Sequence, residues 1–160
     1  HAALIKIFRK VVNQNISAHL HLIGDGPLRA TIENMVEQMN LDQNISFYGF
    51  VNNPLDYIKA GDIFVLPSKI EGLPGVLLEA MFCKIPVVAY NVGGISEIVN
   101  SETGTLVEKE NENKFTAAIL ENLKHPSTFK IMNAYKMVTE NYMNEKLAED
   151  FLRFYEKVLK

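Results

Sequence analysis

The 160-residue sequence lacks tryptophan and contains a single cysteine, Cys83. One cysteine excludes an internal disulfide and is typical of a protein in a reducing compartment, which predicts a cytoplasmic location. Cys83 lies within an apolar run with helical spacing, where we expect a small buried hydrophobic side chain and not a nucleophile. The sequence therefore offers neither a disulfide framework nor thiol chemistry.

The sequence also lacks an excess of charge of either sign, since 16 lysines and arginines face 19 aspartates and glutamates. The basic residues are scattered, so no basic patch would attract nucleic acid, and no nucleic-acid partner is expected. No apolar stretch approaches the roughly 20 residues that a helix needs to cross a bilayer. We therefore expect no transmembrane segment in this chain.

The first residues already follow a helical pattern. Residues 3–8 are amphipathic, and neither a methionine nor a capping residue precedes them. Apolar residues make up 48% of the chain, enough for one sizeable core. We therefore expect residues 1–160 to form a single domain that is truncated at its start and belongs to a longer protein.

Apolar segments of strand length alternate with segments of helical periodicity along most of the chain. Continuously apolar strands, each followed by a helix, are typical of a parallel sheet covered on both faces. The sequence therefore predicts a doubly wound, Rossmann-like α/β domain with a helical carboxyl-terminal tail. Strands are predicted at residues 18–23, 45–48, 63–66, 86–90 and 104–107. Helices are predicted at residues 2–14, 27–40, 55–60, 75–83, from 95 to near 100, 112–124, 127–141 and 144–160.

In such a fold, ligands bind in the loops that follow the carboxyl ends of the strands. These loops are predicted at residues 24–27, 49–54, 67–75 and 91–95. The first loop places Arg29 where a dinucleotide-binding loop needs its third glycine. The acidic residue expected after the next strand is also absent, because Tyr48 and Gly49 stand there. A nicotinamide dinucleotide site is therefore excluded.

His19 and His21 lie two residues apart, on one face of the first predicted strand. No cysteine or carboxylate accompanies them at a spacing typical of metal ligands. A structural role is therefore expected for both histidines, and no metal site is predicted.

Two carboxylates, Glu71 and Glu79, frame an apolar segment. Pro74 favours a helix start, which leaves the N–H groups of residues 75–77 without intrahelical partners and with a partial positive charge. Glu79 follows one turn later on the same face, where it suits the hydroxyls of a ribose, and Glu71 would reach the other end of such a ligand. The pattern fits a nucleotide sugar. The alternative is that Glu71 is a solvated loop residue and Glu79 a surface residue near Lys84.

Residues 71–81 contain two glutamates separated by seven residues, and the segments around them occur in a particular order. With this signature, the chain resembles the carboxyl-terminal half of a retaining glycosyltransferase of the two-Rossmann-domain type (GT-B), in the family 4 group. The resemblance covers about residues 1–125. The other segments that carry it are residues 24–28, 48–51, 62–68, 86–89 and 93–97.

The resemblance implies a role for each candidate residue of a nucleotide-sugar donor site. Glu71 is the candidate catalytic residue, expected to contact the transferred sugar but not assigned as a nucleophile. Glu79 is expected to bind the ribose. The remaining residues are those whose N–H groups meet the sugar and pyrophosphate (Leu73, Gly75 and Val76), those near the base (Phe50 and Val51), and those that shape the loops (Gly49, Gly93 and Gly94).

The resemblance also implies an activity. Such enzymes transfer a sugar, here from a UDP- or GDP-sugar, to a saccharide or lipid acceptor, with retention and without a cofactor or an essential metal. The donor-neutralising arginine and lysine of the family would lie before His1, as would the amino-terminal acceptor domain, so the chain alone is expected to be inactive. The helix at residues 144–160 is expected to cross back to that domain. We expect the full-length protein to make surface polysaccharide or glycolipid, as a peripheral protein at the inner membrane face.

Two other functions fit the same residues. One is a nucleotide-sugar epimerase or hydrolase of the same architecture, which would need its own acids and bases in the interdomain cleft. The other is a non-catalytic nucleotide-sugar-binding module, against which the intact pair of Glu71 and Glu79 argues. In the present chain, Leu73-Pro74 replaces the commoner Phe-Gly of the family, which leaves the identity of the sugar open.

Overall fold

Helices and strands alternate along the computed structural model, which describes residues 1–15 and 17–159. Each predicted strand and helix is present, although several ends are shifted, and Lys160 of the predicted tail helix lies outside the described residues. The helices are α1 (Ala2–Val12), α2 (Arg29–Gln38), α3 (Pro54–Ala60), α4 (Gly75–Phe82), α5 (Ile95–Ile98), α6 (Glu112–Lys124), α7 (Thr128–Asn141) and α8 (Asn144–Val158). The strands are β1 (Leu20–Ile23), β2 (Ile45–Gly49), β3 (Phe64–Leu66), β4 (Val87–Tyr90) and β5 (Thr105–Val107).

The start of α2 differs from the prediction for a local reason. The helix begins at Arg29 and not at Pro27, because the Arg29 N–H donates to the Gly26 carbonyl (3.0 Å) in a turn that precedes the helix. Pro27 and Leu28, which were expected to begin the helix, lie in this turn instead. The loop after β1 is therefore longer than predicted.

Each hydrogen-bonded strand pair runs parallel, which confirms the predicted class of sheet. The strands fall into two groups: β1 pairs with β2, and β4 lies between β3 and β5. Within the described residues no ladder joins β1 to β3, so the single continuous sheet that the alternation predicts is divided at this point. The carboxyl ends of β3, β4 and β5 lie side by side and bring their loops together.

Strand β4 shows why a strand of this fold has a continuously apolar sequence. All four of its residues are buried. Val88 and Tyr90 join a cluster with side chains of α1 and α6, whereas Val87 and Ala89 join a cluster with side chains of α4 and α7. Because successive side chains of a strand point to opposite faces, helices cover β4 on both sides, as a doubly wound fold requires.

Helix α8 lies at the periphery of the domain, where it contacts α7. None of its described residues is buried. Phe151, Phe154, Tyr155 and Val158 recur at helical spacing and are all more than half exposed, so one face of α8 is apolar and open. Within the described residues, the fold has no helix long and apolar enough to cross a membrane.

Candidate functional site

The loops after β1 and β2 meet at Gly49, the last residue of β2. Gly49 is buried, and its backbone has a φ of +66°, a conformation that favours glycine. Its carbonyl accepts a hydrogen bond from the Gly24 N–H (2.8 Å), and a Cβ at this position would lie 3.0 Å from a guanidinium nitrogen of Arg29. The backbone conformation therefore favours glycine where the chain turns toward Phe50, whereas a Cβ there would require only a small shift of the Arg29 side chain.

Phe50 and Val51 continue from this turn. The Phe50 side chain is 85% exposed, and Val51 is half-buried. An exposed aromatic ring at the carboxyl end of a strand offers a flat apolar surface to a ligand. The structure places both residues on the β1–β2 group of strands, whereas Glu71 and Glu79 belong to the β3–β5 group.

The start of α4 is open to solvent. Pro74 is buried and directly precedes the helix, and Gly75 and Val76 are exposed. The Leu77 N–H donates to the Pro74 carbonyl (3.1 Å), so the expectation of three free N–H groups is wrong for Leu77. The N–H groups of Gly75 and Val76 have no hydrogen-bond partner among the described residues. They form the positive end of the helix dipole, which favours an anionic group.

Glu79 lies one helical turn beyond Gly75, with its side chain exposed. Within the described part of the chain, its carboxylate makes no ion pair and accepts no side-chain hydrogen bond. Lys84, the cation that could have paired with it, places its ammonium group 4.5 Å from the centre of the Tyr135 ring. The structure therefore does not support a Glu79–Lys84 surface pair, and it leaves the carboxylate available to a ligand.

Glu71 lies in the loop between β3 and α4 and is half-buried. Its carboxylate also has no ion pair among the described residues, and its carbonyl oxygen packs directly against Gly93. Leu73, two residues further along, is 46% exposed. The loop thus presents one carboxylate and one apolar side chain near the open start of α4.

Gly93 and Gly94 lie in the loop after β4, which packs against the loop that carries Glu71. Gly93 has a φ of +52°, and a Cβ on it would collide with the Glu71 carbonyl. The Gly94 N–H donates to the Gly72 carbonyl (3.0 Å), and a Cβ on Gly94 would lie 2.8 Å from that oxygen. The loop after β4 is therefore packed backbone to backbone against the loop that carries Glu71.

An ion pair that the sequence did not predict joins the loops on either side of β4. The Lys69 ammonium lies 2.7 Å from the Glu110 carboxylate, and Glu110 has a left-handed φ of +64°. Their hydrogen bond raises the pKa of Lys69 and lowers the pKa of Glu110. Both side chains are exposed charges in polar loops, so no pattern in the sequence signals their pairing.

The two histidines of β1 form hydrogen bonds with side chains on β2. His19 Nε2 lies 2.9 Å from the Ser46 hydroxyl, and His21 Nδ1 lies 2.8 Å from the Tyr48 hydroxyl. Partial burial, and then the neighbouring His19, lower the pKa of His21. Across residues 1–15 and 17–159, no three or more His, Cys, Asp or Glu side chains form a group that could hold a metal ion.

Cys83 ends α4 and is half-buried, so it is less enclosed than its apolar surroundings suggested. Burial raises the pKa of its thiol, and this effect outweighs the opposing influence of Lys59. A raised pKa disfavours the thiolate, which is the reactive form. The geometry therefore gives no support to thiol chemistry at Cys83.

These features define a doubly wound α/β domain whose candidate site residues lie in the loops at the carboxyl ends of its strands. Residues 1–125 match the family described as glycosyl transferases group 1. The chain belongs to this family, which confirms the resemblance inferred from the signature at residues 71–81.

Relatives agree with this family over nearly the whole chain. The chain is 30% identical over 160 residues to N-acetyl-alpha-D-glucosaminyl L-malate synthase from Bacillus anthracis, with 98% of this chain and 42% of that protein covered. A solved structure of a mutant of TarM from Staphylococcus aureus, in complex with fondaparinux, alpha-GlcNAc-glycerol and UDP, matches with a TM-score of 0.87 and 27% identity. That match covers 94% of this chain and 31% of TarM.

A third match concerns an isolated domain. The solved carboxyl-terminal domain of a glycosyl transferase group 1 family protein (LpcC) from Francisella tularensis has a TM-score of 0.78 and 27% identity, and the match covers 89% of this chain and 79% of that domain. This chain therefore spans less than half the length of the Bacillus protein, but most of a carboxyl-terminal domain.

Proposed function

We propose that this chain is the donor-binding domain of a retaining glycosyltransferase, which moves a sugar from a nucleoside diphosphate sugar to a saccharide or lipid acceptor. One observation carries the proposal: the unpaired Glu79 carboxylate lies one helical turn from the free N–H groups of Gly75 and Val76. The donor has groups that complement both features: its anionic diphosphate suits the free N–H groups, and its ribose hydroxyls suit the carboxylate. Family membership supports the same assignment.

The diphosphate would bind at the start of α4. The N–H groups of Gly75 and Val76 would donate to phosphate oxygens, and the absence of a side chain at Gly75 allows close approach. As the bond to the sugar breaks, negative charge builds up on the departing nucleoside diphosphate. The helix terminus stabilises that charge because its dipoles are already oriented before the reaction.

Glu79 would accept hydrogen bonds from the two ribose hydroxyls. A carboxylate has two oxygens at a spacing that suits a diol, and charge-assisted hydrogen bonds are stronger than neutral ones. These bonds form with the free nucleoside diphosphate as well as with the complete donor. Glu79 should therefore contribute to binding at each stage of the reaction.

Glu71 and Leu73 would face the sugar. The transferred sugar gains positive character as its bond breaks, so a carboxylate beside it stabilises the transition state more than the ground state. The packing of Gly93 against the Glu71 carbonyl fixes the backbone from which that carboxylate projects. We assign Glu71 to holding the sugar and not to nucleophilic attack.

Phe50 and Val51 would receive the base, Phe50 through its exposed ring and both residues through their main chain. UDP and GDP are the two nucleotides proposed, and UDP has been observed in the TarM complex. We propose that no metal is essential, because the helix start and the cations of the complete protein would neutralise the diphosphate. If transfer were lost on chelation with EDTA and restored by magnesium, this part of the proposal would be wrong.

The partner of this domain would be an amino-terminal acceptor domain of the same polypeptide. One observation supports it: the open apolar face of α8. Helix α8 carries four acidic residues against three basic ones, so its charge does not favour an anionic membrane. We propose that α8 crosses to that domain, and that the full-length protein works in the cytoplasm, peripherally at the inner membrane face.

Calorimetry on the full-length protein with UDP and with GDP tests the donor site. Wild type should bind one of the two nucleotides, and Glu79→Ala should bind it roughly ten- to a hundredfold more weakly, the usual cost of losing charge-assisted hydrogen bonds. Glu37→Ala is the matched control, because Glu37 is an exposed helical glutamate on α2. Wild-type binding of neither nucleotide, or equal affinity in the two variants, would contradict the proposal.

A transfer assay separates this function from the two alternatives. A glycosyltransferase moves the sugar to an acceptor, whereas an epimerase or hydrolase changes the donor without an acceptor, and a binding module leaves the donor intact. Full-length protein incubated with UDP- or GDP-sugars and membrane extract should yield a glycosylated acceptor. Conversion of the donor that needs no acceptor would favour the epimerase or hydrolase.

A further inference from the structure

We propose that the ion pair between Lys69 and Glu110 positions the loop that carries Glu71, so that both residues serve the donor site without touching the donor. This inference rests on the proposed function, because it concerns the same site. It assigns a role to two residues that lie outside the family signature at residues 71–81.

The position of the pair in the fold is the first argument. Lys69 follows β3 and Glu110 follows β5, and these strands flank β4 on its two sides. The ion pair of 2.7 Å therefore spans the carboxyl end of β4, where the loop with Gly93 and Gly94 begins. Residues 67–74 form no helix or strand of their own, so contacts with neighbouring loops determine their position.

The second argument is that the loop is held at two points along the chain, one before and one after Glu71. Glu110 pairs with Lys69 before it, and the Gly94 N–H donates to the Gly72 carbonyl after it. Glu71 lies between Lys69 and Gly72 in the chain, so its backbone is fixed from both directions. Losing one support would let Glu71 and the start of α4 move together.

The third argument is the backbone of Glu110, which adopts a left-handed conformation that non-glycine residues seldom take. Two local hydrogen bonds maintain this turn, from the Asn111 N–H to the Glu108 carbonyl and from the Glu112 N–H to the Glu110 carbonyl. The turn directs the Glu110 side chain toward Lys69. The unfavourable backbone conformation of Glu110 therefore occurs at the residue that makes the contact with Lys69.

Exposure argues against a role in overall stability. The side chains of Lys69 and Glu110 are 62% and 58% exposed, and exposed ion pairs contribute little to the free energy of unfolding. A weak contact can still change how often a loop without helix or strand structure adopts its binding geometry. The effect should therefore appear in ligand affinity and loop exchange, and not in the melting temperature.

The test compares full-length Lys69→Gln and Glu110→Gln with wild type, using calorimetry with UDP and GDP. Each variant should bind the nucleotide about two- to fivefold more weakly, and the double variant should lose no more than either single one, because the two residues act as one pair. Lys69→Glu combined with Glu110→Lys should recover most of the affinity. Lys136→Gln and Glu140→Gln are the controls, since they break an equally exposed pair on α7.

The Glu110 variant distinguishes positioning from direct contact. If Lys69 contacted the diphosphate, Glu110→Gln would release it and leave affinity unchanged or higher, which would overturn the proposal. Equal affinity in all variants would overturn it as well.

Deuterium uptake without nucleotide gives an independent readout. Residues 68–76 should exchange faster in both single variants than in wild type and in the controls. If wild type binds neither nucleotide, the proposed function fails, and the uptake of residues 68–76 alone decides whether the pair positions the loop. Unchanged uptake would then overturn the inference.

Discussion

The N–H group of Gly94 donates a 3.0 Å hydrogen bond to the carbonyl of Gly72, and this bond joins the loop after β4 to the loop that carries Glu71. Gly93, the preceding residue, packs against the Glu71 carbonyl at a φ that favours glycine. The geometry of the candidate site therefore depends on two glycines that need not touch a ligand.

Gly93→Ala should reduce both stability and donor binding. The new Cβ would collide with the Glu71 carbonyl, and alanine is strained at a φ of +52°. We expect a loss of about 1–3 kcal/mol in the free energy of unfolding, measured by urea denaturation. Gly26→Ala is the control, because a Cβ there meets nothing within 4 Å. Similar losses in the two variants would argue against the packing described for Gly93.

Glu79→Ala and Glu71→Ala should impair different properties, nucleotide affinity in the first variant and turnover in the second. Glu79 is proposed to hold the ribose, so its loss should weaken nucleoside diphosphate affinity by roughly ten- to a hundredfold. Glu71 is proposed to act on the sugar, so its loss should mainly lower turnover, because its benefit grows toward the transition state. Calorimetry with UDP or GDP is the sharper measurement, since these ligands lack the sugar. If both variants lost the same affinity, this division of roles would be wrong.

Acid should weaken the fold near His21. Burial and the neighbouring His19 lower the pKa of His21 from its ordinary value of 6.5, so the unfolded chain binds more protons as the pH falls through that value. Stability is therefore full above about pH 6.5 and decreases below it. Thermal unfolding of the full-length protein between about pH 8 and pH 5 should show a small decrease in melting temperature, with a smaller decrease in His21→Gln. An equal decrease in the variant would exclude His21 as the cause.

Helix α8 should depend on the rest of the polypeptide for protection. Its apolar face is open in this chain, whereas β4 is buried on both faces. Amide exchange in residues 144–158 should be fast in the isolated chain and much slower in the full-length protein, because burial of the face would restrict opening of the helix. Exchange in β4 serves as the internal reference. Slow exchange of α8 in a monomeric isolated chain would contradict the proposal that it packs on another domain.

The sequence predicted the order of the elements because the relevant signals are local. Residues 87–90 are continuously apolar and form a strand buried on both faces, and Pro74-Gly75 marks the beginning of α4. Glu71 and Glu79 were found because their spacing around that helix start is recognisable. For the same reason, the sequence predicts the positions of the loops that carry the candidate site.

The features that the sequence did not predict depend on contacts between distant segments. Lys69 and Glu110 are ordinary exposed charges until β3 and β5 bring them to the same edge. The Leu77 N–H was expected to be free, but the chain before α4 tightens into a turn that occupies it. The separation of β1 from β3 was also missed, because an apolar strand pattern does not specify which neighbour a strand pairs with.

The division of the strands has a consequence for how the domain responds to a bound nucleotide. Phe50 extends from the β1–β2 group and Gly75 from the β3–β5 group, and within the described residues no strand ladder joins the two groups. A ligand that reaches from the Phe50 ring to the start of α4 would connect the two groups of strands. Because it would bind only when both groups are folded, its binding free energy would stabilise them together. Such a ligand would act as a crosslink, so the β1–β2 and β3–β5 groups should unfold more cooperatively when the site is occupied.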